Sequence, residues 1–247
     1  MGAAMLRGWL AGGLDPARLL VIEPHPTAEI EALAAKTGFA LRPAPPQEGV
    51  AAPEVLTLAI KPQMLDDARA LAPFCGPSTL LLSILAGKRL ADLAARLPGA
   101  GAIVRAMPNL PAAVGRGMTG LVAGGELGAG AKSAVEALIG ATGEFQWIAD
   151  ERLMDAVTAI SGSGPAYVFL LVESLARAGE ALGLPPESAA RLARATVEGA
   201  GELLRQNRAL SPAELRQSVT SPGGTTAAAL VVVRAHDGLA PLLGRAA

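Results

Sequence analysis

The 247 residues are enough for one large domain or two ordinary ones. Hydrophobic residues make up 51%, much of it alanine, and only 3% is aromatic, which favours closely packed helices over a thin β-sandwich. With 21 basic and 22 acidic residues the net charge is −1, and no basic stripe marks a nucleic-acid surface.

The first part of the chain alternates helical and strand-like segments. The pattern predicts a helix over 3–10, stopped by Gly12-Gly13, then a short buried strand over 19–22 ending at Glu23-Pro24. An amphipathic helix over 27–36 closes at Gly38, and a second buried strand over 55–60 is cut off by Lys61-Pro62. Residues 66–71 read as helix, and 79–83 and 103–106 repeat the strand pattern, with 117–122 and 145–148 extending the sheet. Such alternation predicts a parallel sheet covered by helices, an α/β domain over 1–150.

After Asp150 the character changes to an all-helical segment over 151–247. Pro165 stands in a first turn behind Ser163-Gly164; Val168, Leu171, Val172 and Leu175 follow at helical spacing; Gly183 ends the helix. A second helix opens at Pro186-Glu187, with a stripe through Ala189, Leu192, Ala193, Thr196, Val197, Ala200, Leu203 and Leu204. Ser211-Pro212-Ala213-Glu214 is a capping box for a third, and a fourth starts at Thr225. Small residues on these stripes permit close helix approach, and so few helices have little core of their own, which predicts packing against a second copy.

The lone cysteine, Cys75, excludes an internal disulfide, and His25 and His236 stand apart with no cysteine cluster, so no metal site is expected. The uninterrupted apolar runs over 167–172 and 227–233 are too short for a bilayer, and no secretion leader opens the chain. The expectation is a cytoplasmic protein with neither membrane nor nucleic-acid partners.

In a parallel sheet, ligands gather beyond the carboxyl ends of the strands. The residues there are Lys61-Pro62-Gln63, Ile84-Leu85-Ala86-Gly87 and Met107-Pro108-Asn109-Leu110-Pro111, sharp turns that expose backbone but that singly also read as ordinary loop chemistry. Glu23 ends the strand whose final acid holds ribose hydroxyls in dinucleotide folds, though it reads equally as a solvated helix cap. Such a fold begins with a strand and Gly-x-Gly-x-x-Gly, whereas this sequence opens at the helix, with Gly2 suited to the third glycine. The expectation is that Met1 is an internal methionine and that a strand and glycine turn precede it.

The stretch over 219–230 sets a Pro222-Gly223-Gly224 turn between hydroxyl pairs and ahead of a run of helix formers. Bare amides at an electropositive helix start, with Ser221, Thr225 and Thr226 beside them, suit a small carboxylate; a plain capped helix is the simpler reading.

Together these segments resemble the pyrroline-5-carboxylate reductases, the last enzymes of proline biosynthesis. The resemblance runs from Met1 to about Arg245, through Met1-Gly2-Ala3-Ala4-Met5, Ala59-Ile60-Lys61-Pro62-Gln63, Ser83 to Gly87, Arg105-Ala106-Met107-Pro108-Asn109-Leu110-Pro111, Ala159 to Tyr167 and, most specifically, Leu215 to Leu230. It implies a Rossmann-like cofactor domain, with its first strand outside the sequence, followed by an all-α dimerisation and substrate domain. It implies hydride transfer from NADPH or NADH to 1-pyrroline-5-carboxylate, giving L-proline, in a homodimer or higher homo-oligomer. Carried over, Gly2, Glu23, Ala59, Ile60, Lys61, Pro62, Ile84, Leu85, Ala86 and Met107 meet the cofactor. Ser221, Gly224, Thr225, Thr226 and Asn109 meet the substrate, with the Thr226 hydroxyl reaching the ring nitrogen as the catalytic group. Leu110 replaces a usual threonine, Val231 stands where an acid is common, and Val233-Arg234 depart from the end of the signature.

A protonated cyclic imine accepts hydride without a protein nucleophile or metal, and neither histidine is expected in the loops that matter. The alternatives are a related imine or hydroxy-acid reductase, and a non-catalytic dimeric protein with a lost cofactor site.

Overall fold

Leu80, Leu81, Leu82 and Ser83 are all fully buried, because this strand is covered on both faces and a run of apolar residues can fill both. The computed structural model describes residues 1–46 and 51–246; Ala247, the end of the predicted helical segment, lies outside the described residues. The chain divides into two units, Met1–Gly162 and Ser163–Ala247. The division falls after Gly162 rather than after Asp150 because Met154, at the start of a short helix, is fully buried within the first unit.

The first unit runs α1 (Gly2–Ala11), β1 (Leu20–Ile22), α2 (Ala28–Thr37), β2 (Ala40–Arg42), β3 (Val55–Leu58), β4 (Leu80–Ser83), α3 (Leu90–Arg96), β5 (Ala102–Met107), β6 (Gly117–Ala123), α4 (Ala129–Gly140), β7 (Gly143–Trp147) and α5 (Met154–Val157). A π-helical turn, Thr158–Gly162, ends it. Thr27 caps α2 by accepting the Ile30 N–H, and Gly38 closes it at φ 85°, a conformation that favours glycine. The segment over 66–71 lies inside a longer 3₁₀ run, Pro62–Phe74, which holds Pro73. Leu80 and Leu82 face one layer, with Met5 of α1 and Val135 and Ile139 of α4. Leu81 faces the other, with Leu85, Leu93 and Leu97.

Strands β3, β4 and β5 are parallel neighbours, and β6 and β7 are parallel to each other, but β6 runs antiparallel to β5. The exception has a simple cause. Only a loop with a 3₁₀ turn, Leu110–Val114, joins β5 to β6, and a parallel return needs a longer crossover.

The expected single sheet is split: β1 and β2 pair in parallel as a two-stranded sheet, separate from the five strands β3–β7. One helix serves both, since Met5 of α1 packs on the larger sheet and Leu6 joins Ile30 and Phe39 beside the smaller. Ahead of β1 and β3, Arg18 Nη2 bonds both Glu54 oxygens at 3.1 and 3.0 Å, tying the leading ends of the two strands together. Among the described residues, β1 and β3 each carry ladder bonds on one side only.

The second unit holds α6 (Gly164–Ala181), α7 (Pro186–Gln206), α8 (Pro212–Ser218), α9 (Thr225–Val233) and α10 (Leu239–Ala246). Gly183, at φ 97°, ends α6, and a short loop returns the chain as α7. A Cβ on Gly179 would lie 3.2 Å from that of Ala189, so the helices meet where both side chains are small. Among the described residues of this unit only Ala189 and Ala193 are buried hydrophobics, while Phe169, Leu170 and Val231 are more than half exposed. The helical run Glu151–Ala181 is long and apolar enough, by length and composition alone, to cross a bilayer. The expectation built on uninterrupted apolar runs missed it because Thr158, Ser161, Ser163 and the glycines beside them break the apolar stretch without lowering its average below that threshold.

A β-branched strand with a glycine turn, fused ahead of Gly2, is expected to pair with both open edges. Four or five added backbone bonds contribute roughly 2–5 kcal/mol, raising Tm by about 5 °C or more and slowing amide exchange at Val21 and Leu56. A fusion that changes neither Tm nor exchange shows that these edges do not accept a strand.

Candidate cofactor and substrate sites

In the first unit, parallel pairing decides which loops meet. Leu58 pairs with Ser83, and Ser83 with Arg105, so the residues after β3, β4 and β5 emerge side by side at one rim. Ala59, Ile60, Lys61 and Pro62 follow β3; Ile84, Leu85 and Ala86 follow β4; Met107 ends β5. Gly2 opens α1 where a Cβ would stand 3.1 Å from that of Ala59, so glycine lets the helix start flush against the end of β3. Met1 caps α1 without a side-chain bond, and the first helical amides lack partners within the helix. An electropositive helix start beside exposed backbone turns fits the pyrophosphate of a dinucleotide.

The rim residues are not equivalent. Ser83 is fully buried, and its hydroxyl accepts the Leu85 N–H at 3.3 Å, holding the turn. The Leu85 side chain is 1% exposed and packs among Leu58, Leu65 and Leu81, so only its backbone is available to a ligand. Lys61 and Ala86 are exposed, and Ile60, Ile84 and Met107 half-buried. Half-buried Glu23 accepts the His25 N–H at 3.0 Å, while its own N–H donates to Arg42 O at 2.9 Å. One carboxylate oxygen thus caps the loop and the other is left for a ligand, so the cap and ribose readings are compatible. His25 does fall in this loop, against the expectation that neither histidine would; its ring is not part of the cap, which uses its backbone.

Two features at the rim went unread in the sequence. Arg105, 3% exposed within β5, reaches Glu151 Oε1 at 3.3 Å, and the same oxygen accepts the Leu90 N–H at 2.7 Å. One carboxylate thereby ties β5 to the start of α3, just beyond the Ile84–Ala86 turn. An arginine inside an otherwise apolar strand was the available signal, since a buried guanidinium demands a partner. The Asn109 side chain is engaged as well: Oδ1 accepts the Met118 N–H at 2.9 Å and Nδ2 donates to Ser161 Oγ at 3.3 Å. Leu110, the departure from the family pattern, is 58% exposed.

In the second unit the turn over 221–224 leads into α9. Gly223 adopts φ 71°, and the Gly224 N–H donates to Ser221 O at 3.1 Å. A Cβ on Gly224 would come within 2.5 Å of Ser221 Oγ, so glycine there leaves the hydroxyl in place over the turn. Gly224 caps α9 with no side-chain bond, and the first intrahelical acceptor, Gly224 O, takes the Ala228 N–H. The amides of Thr225, Thr226 and Ala227 are thus open within the helix, beside two exposed threonine hydroxyls. Val231 and Val233, the other departures, are exposed further along α9.

A parallel rim with a helix start at its edge is the arrangement of a dinucleotide-binding α/β fold. Residues 151–247 match the family profile described as pyrroline-5-carboxylate reductase dimerisation. The pyrroline-5-carboxylate reductase of Pseudomonas aeruginosa is 40% identical over 238 residues, covering 96% of this chain and 86% of that protein. The structure of a pyrroline-5-carboxylate reductase from Coxiella burnetii is 33% identical, with TM-score 0.88 over 99% of this chain and 90% of that one. The Plasmodium falciparum pyrroline carboxylate reductase, solved with NADP bound, is 26% identical with TM-score 0.77, covering 100% and 90%. The chain belongs to the pyrroline-5-carboxylate reductase family.

Glu151→Ala is expected to leave the Arg105 guanidinium buried and unpaired. The loss is about 3 kcal/mol, read as a lower urea midpoint at unchanged slope. Glu151→Gln, which keeps an acceptor for Leu90, should lose less; equal losses would show that the bond to Leu90 contributes nothing and that the charge on Glu151 carries the whole effect.

Proposed function

We propose that the chain catalyses NAD(P)H-dependent reduction of 1-pyrroline-5-carboxylate to L-proline. The observation that carries the reading is the start of α9, where open amides and hydroxyls converge on a glycine turn. The substrate carboxylate lies against the Thr225 and Thr226 amides and the Ser221 hydroxyl, so its charge meets the positive helix end rather than a basic side chain. Thr226 Oγ1 bonds the ring nitrogen, and Asn109 belongs to the same substrate set. Glu23, the backbone of Ala59, Ile60 and Leu85, and the flanks of Lys61, Pro62, Ile84, Ala86 and Met107 hold the dinucleotide, with Gly2 at its pyrophosphate.

The reduced nicotinamide supplies the hydride. The imine nitrogen carries a proton from solvent, the hydride and its electron pair go to the ring carbon, and the C=N bond becomes a C–N bond. The product is a secondary amine, and no protein nucleophile is consumed. The protein's task is orientation and charge stabilisation.

The apolar faces of α6, α7 and α9 support a homodimer, with 151–247 as the dimerisation and substrate domain and 1–150 as the cofactor domain. Glu173 and Arg177, an i,i+4 pair on α6, suit a protein partner better than lipid. The cytoplasm is the compartment that fits Cys75, whose thiol is free and pushed up by burial, away from the reactive thiolate.

Purified protein given NADPH and pyrroline-5-carboxylate should release proline; cofactor binding without proline would overturn the reading. Thr226→Val keeps the volume and removes the hydroxyl, and is expected to lower kcat/KM by about one to two decades with little change in Tm. Near-normal turnover would reduce Thr226 to a helix-start residue.

Glu23 should tilt the cofactor choice toward NADH, because its carboxylate repels a ribose 2′-phosphate. Arg42, which pairs with Ile22 from β2 and accepts the Glu23 N–H at its carbonyl, and His25 oppose that tilt. Glu23→Ser is expected to raise NADPH efficiency relative to NADH, and a strong preference of the unaltered protein for NADPH would refute the assignment.

A further inference from the structure

Met118, Asn109 and Ser161 close a ring of hydrogen bonds. The Met118 N–H donates to Asn109 Oδ1 at 2.9 Å, Asn109 Nδ2 donates to Ser161 Oγ at 3.3 Å, and Ser161 Oγ donates to Met118 O at 3.3 Å. A hydroxyl has one proton, and here it goes to a backbone carbonyl while the oxygen accepts from the carboxamide. The ring joins the loop after β5, the start of strand β6 and the π-helical turn Thr158–Gly162.

Two glycines keep the neighbouring pieces close. A Cβ on Gly162 would come within 2.9 Å of Met107 Cε, the flexible end of that side chain, and one on Gly120 within 2.6 Å of Val157 Cγ1. The turn therefore rests on Met107 at the end of β5, and α5, just ahead of the turn, packs on the body of β6. Its π geometry has a consequence too. The extra residue in the turn changes the direction in which Ser161 leaves the helix, and such turns, costly in themselves, recur at functional sites.

We propose that Ser161 is a positioning residue for hydride transfer. Acting through Asn109, it fixes the loop that carries Met107 against the nicotinamide. This rests on the reductase reading above. It assigns Asn109 a role in holding the loop, and it gives the hydroxyl of Ser161 a function that its half-buried position at the end of the turn does not by itself reveal. On the reductase reading the nicotinamide lies by Met107, two residues before Asn109, and the pyrophosphate lies at Gly2, beside Ala59. Loss of the ring should therefore disturb the reacting geometry more than cofactor affinity.

The test compares Ser161→Ala, Ser161→Thr, Asn109→Asp and the double variant Ser161→Ala/Asn109→Asp. Ser161→Ala is expected to lower kcat about ten- to a hundredfold, as a small misplacement of reactants does. The NADPH dissociation constant, read from the fluorescence of the bound cofactor, should stay within about threefold, because the phosphate contacts that dominate it are elsewhere. The isotope effect with 4-deuterated NADPH should grow, and Ser161→Thr, which keeps the hydroxyl, should recover most of kcat. The double variant should be no worse than the poorer single one, since both break one ring. Multiplying effects would mean that Ser161 and Asn109 act independently rather than through one ring, and would overturn the proposal, as would an unchanged kcat in Ser161→Ala. Amide exchange at Met118 needs no turnover. It should quicken in Ser161→Ala whatever substrate the protein takes, and an unchanged rate overturns the proposal even if the reductase reading fails for lack of proline.

Discussion

Burial on both faces of β4, with β3 and β5 partly buried on either side of it, is the constraint from which the rest follows. A strand covered on both sides has no face on which to carry polar chemistry, so whatever acts on a ligand must sit where the strands end. Leu81 and Leu82, pointing to opposite layers and both fully buried, show how complete that exclusion is. The parallel register then brings three strand ends to one rim. The turns after β3, β4 and β5, scattered over some fifty residues of sequence, become neighbours.

The few polar groups that do enter this apolar layer organise the rim rather than react. Ser83 spends its hydroxyl on the Leu85 amide. Arg105 is neutralised by Glu151, whose same oxygen also holds the start of α3. Asn109 is committed to Met118 and Ser161. The first two satisfy buried groups that would otherwise cost free energy, and all three fix a loop that a ligand would meet. Rigidity at the rim and economy in the core come from the same bonds.

The second unit follows the opposite logic. Its helices bury almost nothing between themselves beyond Ala189 and Ala193, and leave wide apolar faces outward. Small residues allow α6 and α7 to approach closely but supply little hydrophobic stabilisation, about what alanine side chains can give. Covering those faces would stabilise the unit, which fits a family profile described by dimerisation. The start of α9 is the exception, a polar turn whose glycines make room for Ser221 rather than for packing.

The sequence by itself determined whatever depends on local physics. Thr27 and Gly38 bound α2, Pro165 and Gly183 bound α6, the capping box opens α8, and the apolar run over 80–82 had to be a buried strand. The rim turns and the open start of α9 were legible for the same reason, since glycine, proline and hydroxyl residues dictate backbone within a few positions. Other features depend on partners distant in sequence, and only the tertiary structure decided them. Helix α4 has a weak apolar stripe in an alanine- and glycine-rich segment, and β2 is only three residues long; both are formed by what they pack against. The reversal of β6 depends on the absence of a crossover, and the split between β2–β1 and β3–β7 on which edges find partners. The Arg105–Glu151 pair and the ring through Ser161 each join residues more than forty positions apart, and no periodicity or spacing encodes a hydrogen bond across that distance.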